Sequence, residues 1–169
     1  MVPAPTLMRS PCPGCGARFP ALGGPVHDYM ESSPACWHAF GQVLAREYAD
    51  PALFAIHRLS VDSYAVQHPG GTSRQAIQSV GVHLARLCLF LERGLTADEA
   101  NAAMLRVGKI KASMHFLSRP PSLGAITVAD VIVAPNVDQH ARVVGQWARG
   151  TWDAWSEHHE TIRRWANAA

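Results

Sequence analysis

The chain is poor in charge. Asp, Glu, Lys and Arg make up 17% of its 169 residues, below the ~25% of an ordinary globular chain, so much of it must be interior or interface. The net charge is only +2 and no run of Lys or Arg occurs to supply a basic patch, which is too little to argue for nucleic-acid binding. No apolar stretch reaches the ~18 residues of a membrane span. The opening MVPAPTLMRSPCPGC contains no apolar leader, so no secretion signal is expected and the cytoplasm is the expected compartment. Cysteine is scarce, with four in all. In a reducing compartment a Cys-x-x-Cys binds metal or does redox chemistry more often than it forms a structural disulfide.

What is present is apolar residue, at 48%, and nine histidines. The length favours a single domain, residues 1–169, large enough to bury a stable core. Its expected parts are a flexible or extended lead-in over 1–11, a metal knuckle over 12–36 and a helical body over 33–167.

The densest polar stretch is VDSYAVQHPGGTSRQAIQSVGVH, 61–83, which places Asp62, Tyr64, Gln67, His68, Gln75, Gln78 and His83 among apolar positions. Polar groups inside an apolar element must be paired, ligated or functional, because burying them alone costs several kcal/mol. CPGCGARF at 12–19 suggests what some of them serve. Two cysteines flank a Pro-Gly turn, with Gly14 and Gly16 free to take left-handed backbone, as in a zinc knuckle. A redox pair would need a helix start inside a βαβ pattern, which is missing here. Unligated turn thiols are the remaining reading.

Ser33-Pro34 starts a helix, with serine as cap and proline in the first turn. Trp37, Phe40, Val43, Leu44 and Tyr48 follow at helical spacing and are expected to face the core. Cys36 lies in the first turn, where the helix dipole favours a thiolate. It is either the third ligand or a small buried apolar residue, as most cysteines are. Asp50-Pro51 starts a short helix to about Arg58, and Ser60 caps a further turn over 61–67. His68 stands at that helix end before Pro69-Gly70-Gly71. There it either covers exposed carbonyls or completes the thiol set as fourth ligand. His83 and then His38 are the alternatives for that place.

Thr72 or Ser73 caps the most apolar helix, which runs to about Arg93 and stops at Gly94. Its second half, with Leu84, Leu87, Cys88, Leu89, Phe90 and Leu91, is expected to be buried nearly all round. Its first half carries Gln75, Ser79, His83 and Arg86 as a stripe that faces either solvent or a pocket. Thr96-Ala-Asp-Glu99 is a capping box. It opens a helix whose buried face is Ala100, Ala103, Met104, Val107, Ile110 and Met114. TVADVIVAP at 127–135 reads as a short strand or as one turn of helix capped by Thr127. From Val137 to Trp165 apolar residues recur every three or four positions, giving one long helix or two meeting at Gly150. Trp147, Trp152, Trp155 and Trp165 make this region either core or a contact face.

CPGCGA at 12–17, SPACW at 33–37, VDSYAVQHPG at 61–70 and QSVGVHL at 78–84 resemble a bacterial family of uncharacterised proteins, a domain of unknown function. The resemblance covers most of the chain. It implies a helical domain and no catalytic assignment. Cys12, Cys15, Cys36, His68 and His83 fall in its motifs, whereas His27, His38 and His57 do not.

The expected fold is therefore all-α or mostly α, with an N-terminal zinc knuckle. The first functional reading is a metal-binding protein with zinc held by Cys12, Cys15, Cys36 and His68, beside a polar pocket formed by Asp62, Tyr64, Gln67 and His83. Four ligands close a tetrahedron and make the zinc structural; iron can occupy such thiolate sites too. The second reading is a zinc-dependent hydrolase or group-transfer enzyme. Three ligands would leave a place for water, whose pKa falls towards 7, with Asp62 or His83 as base or orienting group. The third is a module binding a small molecule or a protein, including a second copy of itself through the Trp-rich C-terminal helix. Neither nucleic acid nor membrane is an expected partner.

Overall fold

A computed structural model describes residues 9–168. Seven α-helices carry the described chain, and a two-stranded antiparallel ribbon precedes them. The ribbon pairs β1 (Arg9–Pro11) with β2 (Arg18–Pro20). Of the expected lead-in, residues 9–11 are thus strand, and residues 1–8 lie outside the described residues.

Helix α1 spans Pro34–Ala49, and its cap Ser33 accepts from the Cys36 amide. Its buried face is Cys36, Ala39, Phe40, Val43 and Glu47, while Tyr48 is exposed. The expected face was therefore rotated by one residue: the 3.6-residue period brings Glu47, not Tyr48, onto the stripe. Asp50 caps a single 3-10 turn, and α2 then runs unbroken over Phe54–Gln67. Ser60 is not a cap. It lies inside α2 and its hydroxyl donates to the Glu47 carboxylate.

Helix α3 (Arg74–Leu91) is capped by Ser73, and α4 (Ala97–Ile110) starts at the Thr96–Glu99 capping box. Ala100, Ala103 and Val107 are the buried face of α4; Met114 lies past its end but is buried too. The ambiguous segment at 127–135 is helical, with α5 over Val128–Ile132 and Thr127 and Asp130 forming a second capping box. The last stretch is two helices, α6 (Val137–Ala154) and α7 (His159–Asn167), joined by a 3-10 turn at 156–158. The break falls at Trp155, five residues after Gly150.

Two apolar clusters make the core. One gathers α3, α4, α7 and the C-terminal half of α6 around Leu84, Leu87, Val107, Trp152, Trp155 and Ile162. The other gathers α1, α5 and the N-terminal half of α6 around Phe40, Val43, Tyr64, Val131, Val144 and Trp147, and it includes Cys12 and Cys36. Helix α2 serves both, giving Tyr64 to one and Val66 to the other. Trp147, Trp152, Trp155 and Trp165 are all buried, so this aromatic stripe is core. Trp147 Nε1 donates to Gln67 Oε1 at 2.9 Å and Trp155 Nε1 to the Val66 carbonyl at 3.1 Å, satisfying the polar edge that buried indoles carry. Among the described residues no helix is long and apolar enough to cross a membrane.

Candidate metal centre

The ribbon, the start of α1 and the end of α2 converge on one point. Between β1 and β2 the chain makes a tight turn, in which the Cys12 amide donates to the Ala17 carbonyl at 2.8 Å and the Gly16 amide to the Cys12 carbonyl at 2.9 Å. Gly16 has φ +76°, a left-handed conformation that glycine adopts without steric cost. Gly14 is required for a different reason. A Cβ there would come within 2.4 Å of the His68 ring and 2.3 Å of the Glu31 carbonyl oxygen. The turn can approach the helix end only without a side chain. Arg119, from the loop after α4, ties it down by donating to the carbonyls of Pro13 (2.9 Å) and Gly14 (2.5 Å) and pairing with Glu31 at 3.0 Å.

The sulfurs of Cys12, Cys15 and Cys36 and a ring nitrogen of His68 all lie within 4.8 Å of one another. Cys15 Sγ is 3.7 Å from Cys36 Sγ, and Cys36 Sγ is 3.3 Å from His68 Nε2. A tetrahedron with zinc–sulfur bonds of about 2.3 Å and a zinc–nitrogen bond of about 2.0 Å has edges of roughly 3.8 and 3.5 Å. The Cys15–Cys36 and Cys36–His68 separations are close to those edges. Cys12, Cys36 and His68 are buried, and Cys15 alone is partly exposed.

The imidazole is held in the tautomer a metal needs. His68 Nδ1 lies 2.7 Å from the Tyr64 carbonyl, so Nδ1 carries the proton and Nε2 turns its lone pair to the sulfurs. That carbonyl also accepts from the His68 backbone amide at 3.1 Å, so the ring and the amide of His68 share one acceptor at the end of α2. Asp62, the nearest carboxylate in sequence, does not play this part. Tyr64 stacks on the His68 ring with centroids 3.9 Å apart, and its hydroxyl donates to Cys36 Sγ at 3.6 Å. The Ser33 amide donates to Cys12 Sγ at 3.4 Å.

Three thiols this close cannot all ionise. Hydrogen bonds from Cys15 and Cys36 hold Cys12 far below the usual thiol range. The Cys12 anion in turn pushes Cys15 up to about 12, and hydrogen bonding with Cys12 and Cys15 pushes Cys36 higher still. Burial, with the Cys36 sulfur second, raises Tyr64 well above the ordinary phenol value. A bound cation reverses the problem, because each sulfur then becomes a thiolate ligand.

Three of the polar residues expected to line an adjacent pocket, Asp62, Gln67 and His83, bond to other parts of the chain. Gln67 donates to the carbonyls of Leu123 (3.0 Å) and Ile126 (2.8 Å) and so pins the loop before α5 onto α2. Asp62 is fully buried; its Oδ1 accepts from His83 Nδ1 at 2.7 Å and from Arg86 Nε at 3.0 Å. The second carboxylate oxygen has no partner among the described residues. His83 is thus bound to Asp62, not to the sulfurs. His38 is exposed and lines a cleft of about 400 Å³ with Leu22, Trp37, Phe40 and Leu44. None of Asp62, Tyr64, Gln67 or His83 lines that cleft.

A second buried polar cluster went unread in the sequence. Glu47 is fully buried; its Oε1 accepts from Ser60 at 2.5 Å and from His140 Nε2 at 2.9 Å, and its Oε2 from His57 Nδ1 at 2.9 Å. Arg46 donates to His140 Nδ1 at 3.3 Å, which leaves the proton on Nε2, facing the carboxylate. The available signal was a glutamate on the helical stripe 36, 40, 43, 47.

A family model described as "Family of unknown function (DUF5946)" matches residues 10–156, and the chain belongs to that family. No curated protein and no solved structure matches it.

Proposed function

We propose that this protein is a zinc-binding helical domain whose ion is held by Cys12, Cys15, Cys36 and His68 and serves to fix the N-terminal ribbon to the helical body. The observation that carries the reading is the convergence of three thiols and one imidazole, from three separate segments, within 4.8 Å of one another. The donor chemistry supports zinc: soft sulfurs and a borderline nitrogen, four in number, suit a d¹⁰ ion with no geometric demand of its own. Four protein donors also favour a structural ion over a catalytic one, since a catalytic site keeps one position for water. The binding of His83 and Arg86 to Asp62 supports the same choice, for Asp62 and His83 are engaged with each other and neither belongs to the donor cluster. A cytoplasmic setting, in which the thiols stay reduced, fits the donor set.

The test is elemental analysis of protein purified under reducing conditions, paired with the double variant Cys12→Ser/Cys15→Ser. One zinc per chain in the parent and its loss in the variant are expected. Iron in place of zinc, or full zinc content in the variant, would refute the assignment.

A further inference from the structure

The four donors are not equally protected. Cys36 and His68 are 0% exposed and Cys12 is 2% exposed, while Cys15 is the one sulfur that reaches the surface. Its sulfur lies 3.7 Å from that of Cys36. Cys36 is anchored on α1 and Cys15 on the ribbon turn, 21 residues earlier. A bond between these two would cross-link separate segments, unlike a bond within the Cys-Pro-Gly-Cys turn. The fourth cysteine, Cys88, cannot intervene: it is buried in α3 among the leucines of the other core cluster.

We propose that the centre is a peroxide-sensitive metal switch in which Cys15 is attacked first and Cys36 resolves it. The inference rests on the metal-binding reading above. Cys15 Sγ attacks one oxygen of a hydroperoxide; the oxygen–oxygen bond breaks, and a sulfenic acid and hydroxide result. Cys36 Sγ then attacks the Cys15 sulfur; a sulfur–sulfur bond forms, the sulfur–oxygen bond breaks and a second hydroxide leaves. Two protons convert the two hydroxides to water. The two thiolates have given up two electrons and the peroxide has been reduced; an ion held at the site would keep only Cys12 and His68 as donors. In the resting state, solvent reaches only one ligand, so the centre is stable until an oxidant small enough to meet Cys15 is present.

The experiment uses the full chain loaded with zinc and treated with hydrogen peroxide. A chromogenic chelator reads released zinc, and mass spectrometry of non-reduced digests maps the cross-link. Loss of the whole zinc equivalent with a Cys15–Cys36 cross-link is expected, and dithiothreitol plus zinc should restore the starting state. Dimedone added with the peroxide should trap sulfenic acid on Cys15 and on neither of the other ligands. Cys88→Ser should release zinc as the parent does. Retention of zinc under peroxide, a Cys12–Cys15 cross-link, or irreversible sulfinic acid at the ligands would overturn the switch and leave the metal reading intact. Failure of the untreated protein to hold zinc at all would overturn both.

Discussion

Two buried polar clusters stand on α1, and they are built on opposite principles. At its N-terminal end, Cys36 meets two more thiols and an imidazole whose lone pair faces them. At its C-terminal end, Glu47 meets a hydroxyl and two imidazoles that donate to it. The second cluster is complete in itself. One negative group is surrounded by three donors, and Arg46 fixes the tautomer of one of them. The first consists of thiols of which Cys12 raises the other two, an arrangement that a positive ion would relieve. Both satisfy the rule that buried polar groups need partners. The carboxylate finds its partners in the chain; the thiols are arranged for one from outside.

The comparison breaks most sharply under metal removal. Chelation, or His68→Ala, should lower zinc affinity and melting temperature together, because binding free energy is folding free energy at such a site. Apparent values for structural zinc run to about 10–16 kcal/mol, so a loss of several kcal/mol is expected, read by calorimetry with and without chelator. Chelation should leave the Glu47 cluster's own contribution unchanged. A His68→Ala protein with parental zinc content and melting temperature would show that His68 is not a ligand.

Glu47→Ala is the reciprocal test. It strands His57, His140 and Ser60 without their shared acceptor and should cost about 3–5 kcal/mol in denaturant unfolding, with zinc stoichiometry still one per chain. Loss of zinc in this variant would mean that the two clusters are coupled, against the account. Gly14→Ala tests the approach of turn to helix. Its Cβ would collide with the His68 ring, so zinc affinity should fall while the helical body, followed by circular dichroism, is retained. Unchanged affinity would mean that the turn can move aside freely.

The smallest effect is at the surface. Arg163 pairs with Glu92 at 2.7 Å, and this hydrogen bond holds the Glu92 carboxyl below its ordinary value of 4.5. A depressed folded-state value stabilises the protein above the unfolded value and loses that effect as pH falls through the folded one. Arg163→Ala should therefore lower the melting temperature slightly at neutral pH and not at all well below pH 4. A difference that persists in acid would assign the effect to packing.

What could be read from the sequence follows the same division. Helix starts were legible where a side chain and a backbone amide make a local bond, as at Ser33, Ser73 and Thr96. The gathering of Cys12, Cys15 and Cys36 was legible because cysteines are rare and their spacing is restrictive, and His68 because it stands at a helix end before Pro69. The surroundings of Asp62 were not, because its partners lie 21 and 24 residues away on another helix, and no local pattern specifies such a pairing. Gln67 was read as lining a pocket when it is a brace, since a buried amide serves either purpose until its partners are known. Glu47 was missed through a one-residue error in the phase of α1, which placed Tyr48 on the core and turned a buried acid outward.

The most direct measurement is titration of the reduced, metal-free protein with cobalt(II), followed by optical absorption. The account predicts saturation at one equivalent, with the visible bands of tetrahedral cobalt and sulfur-to-metal charge-transfer intensity for three thiolates, and displacement by zinc. Weak bands of a six-coordinate ion, or charge-transfer intensity for only two thiolates, would contradict a centre closed by Cys12, Cys15, Cys36 and His68.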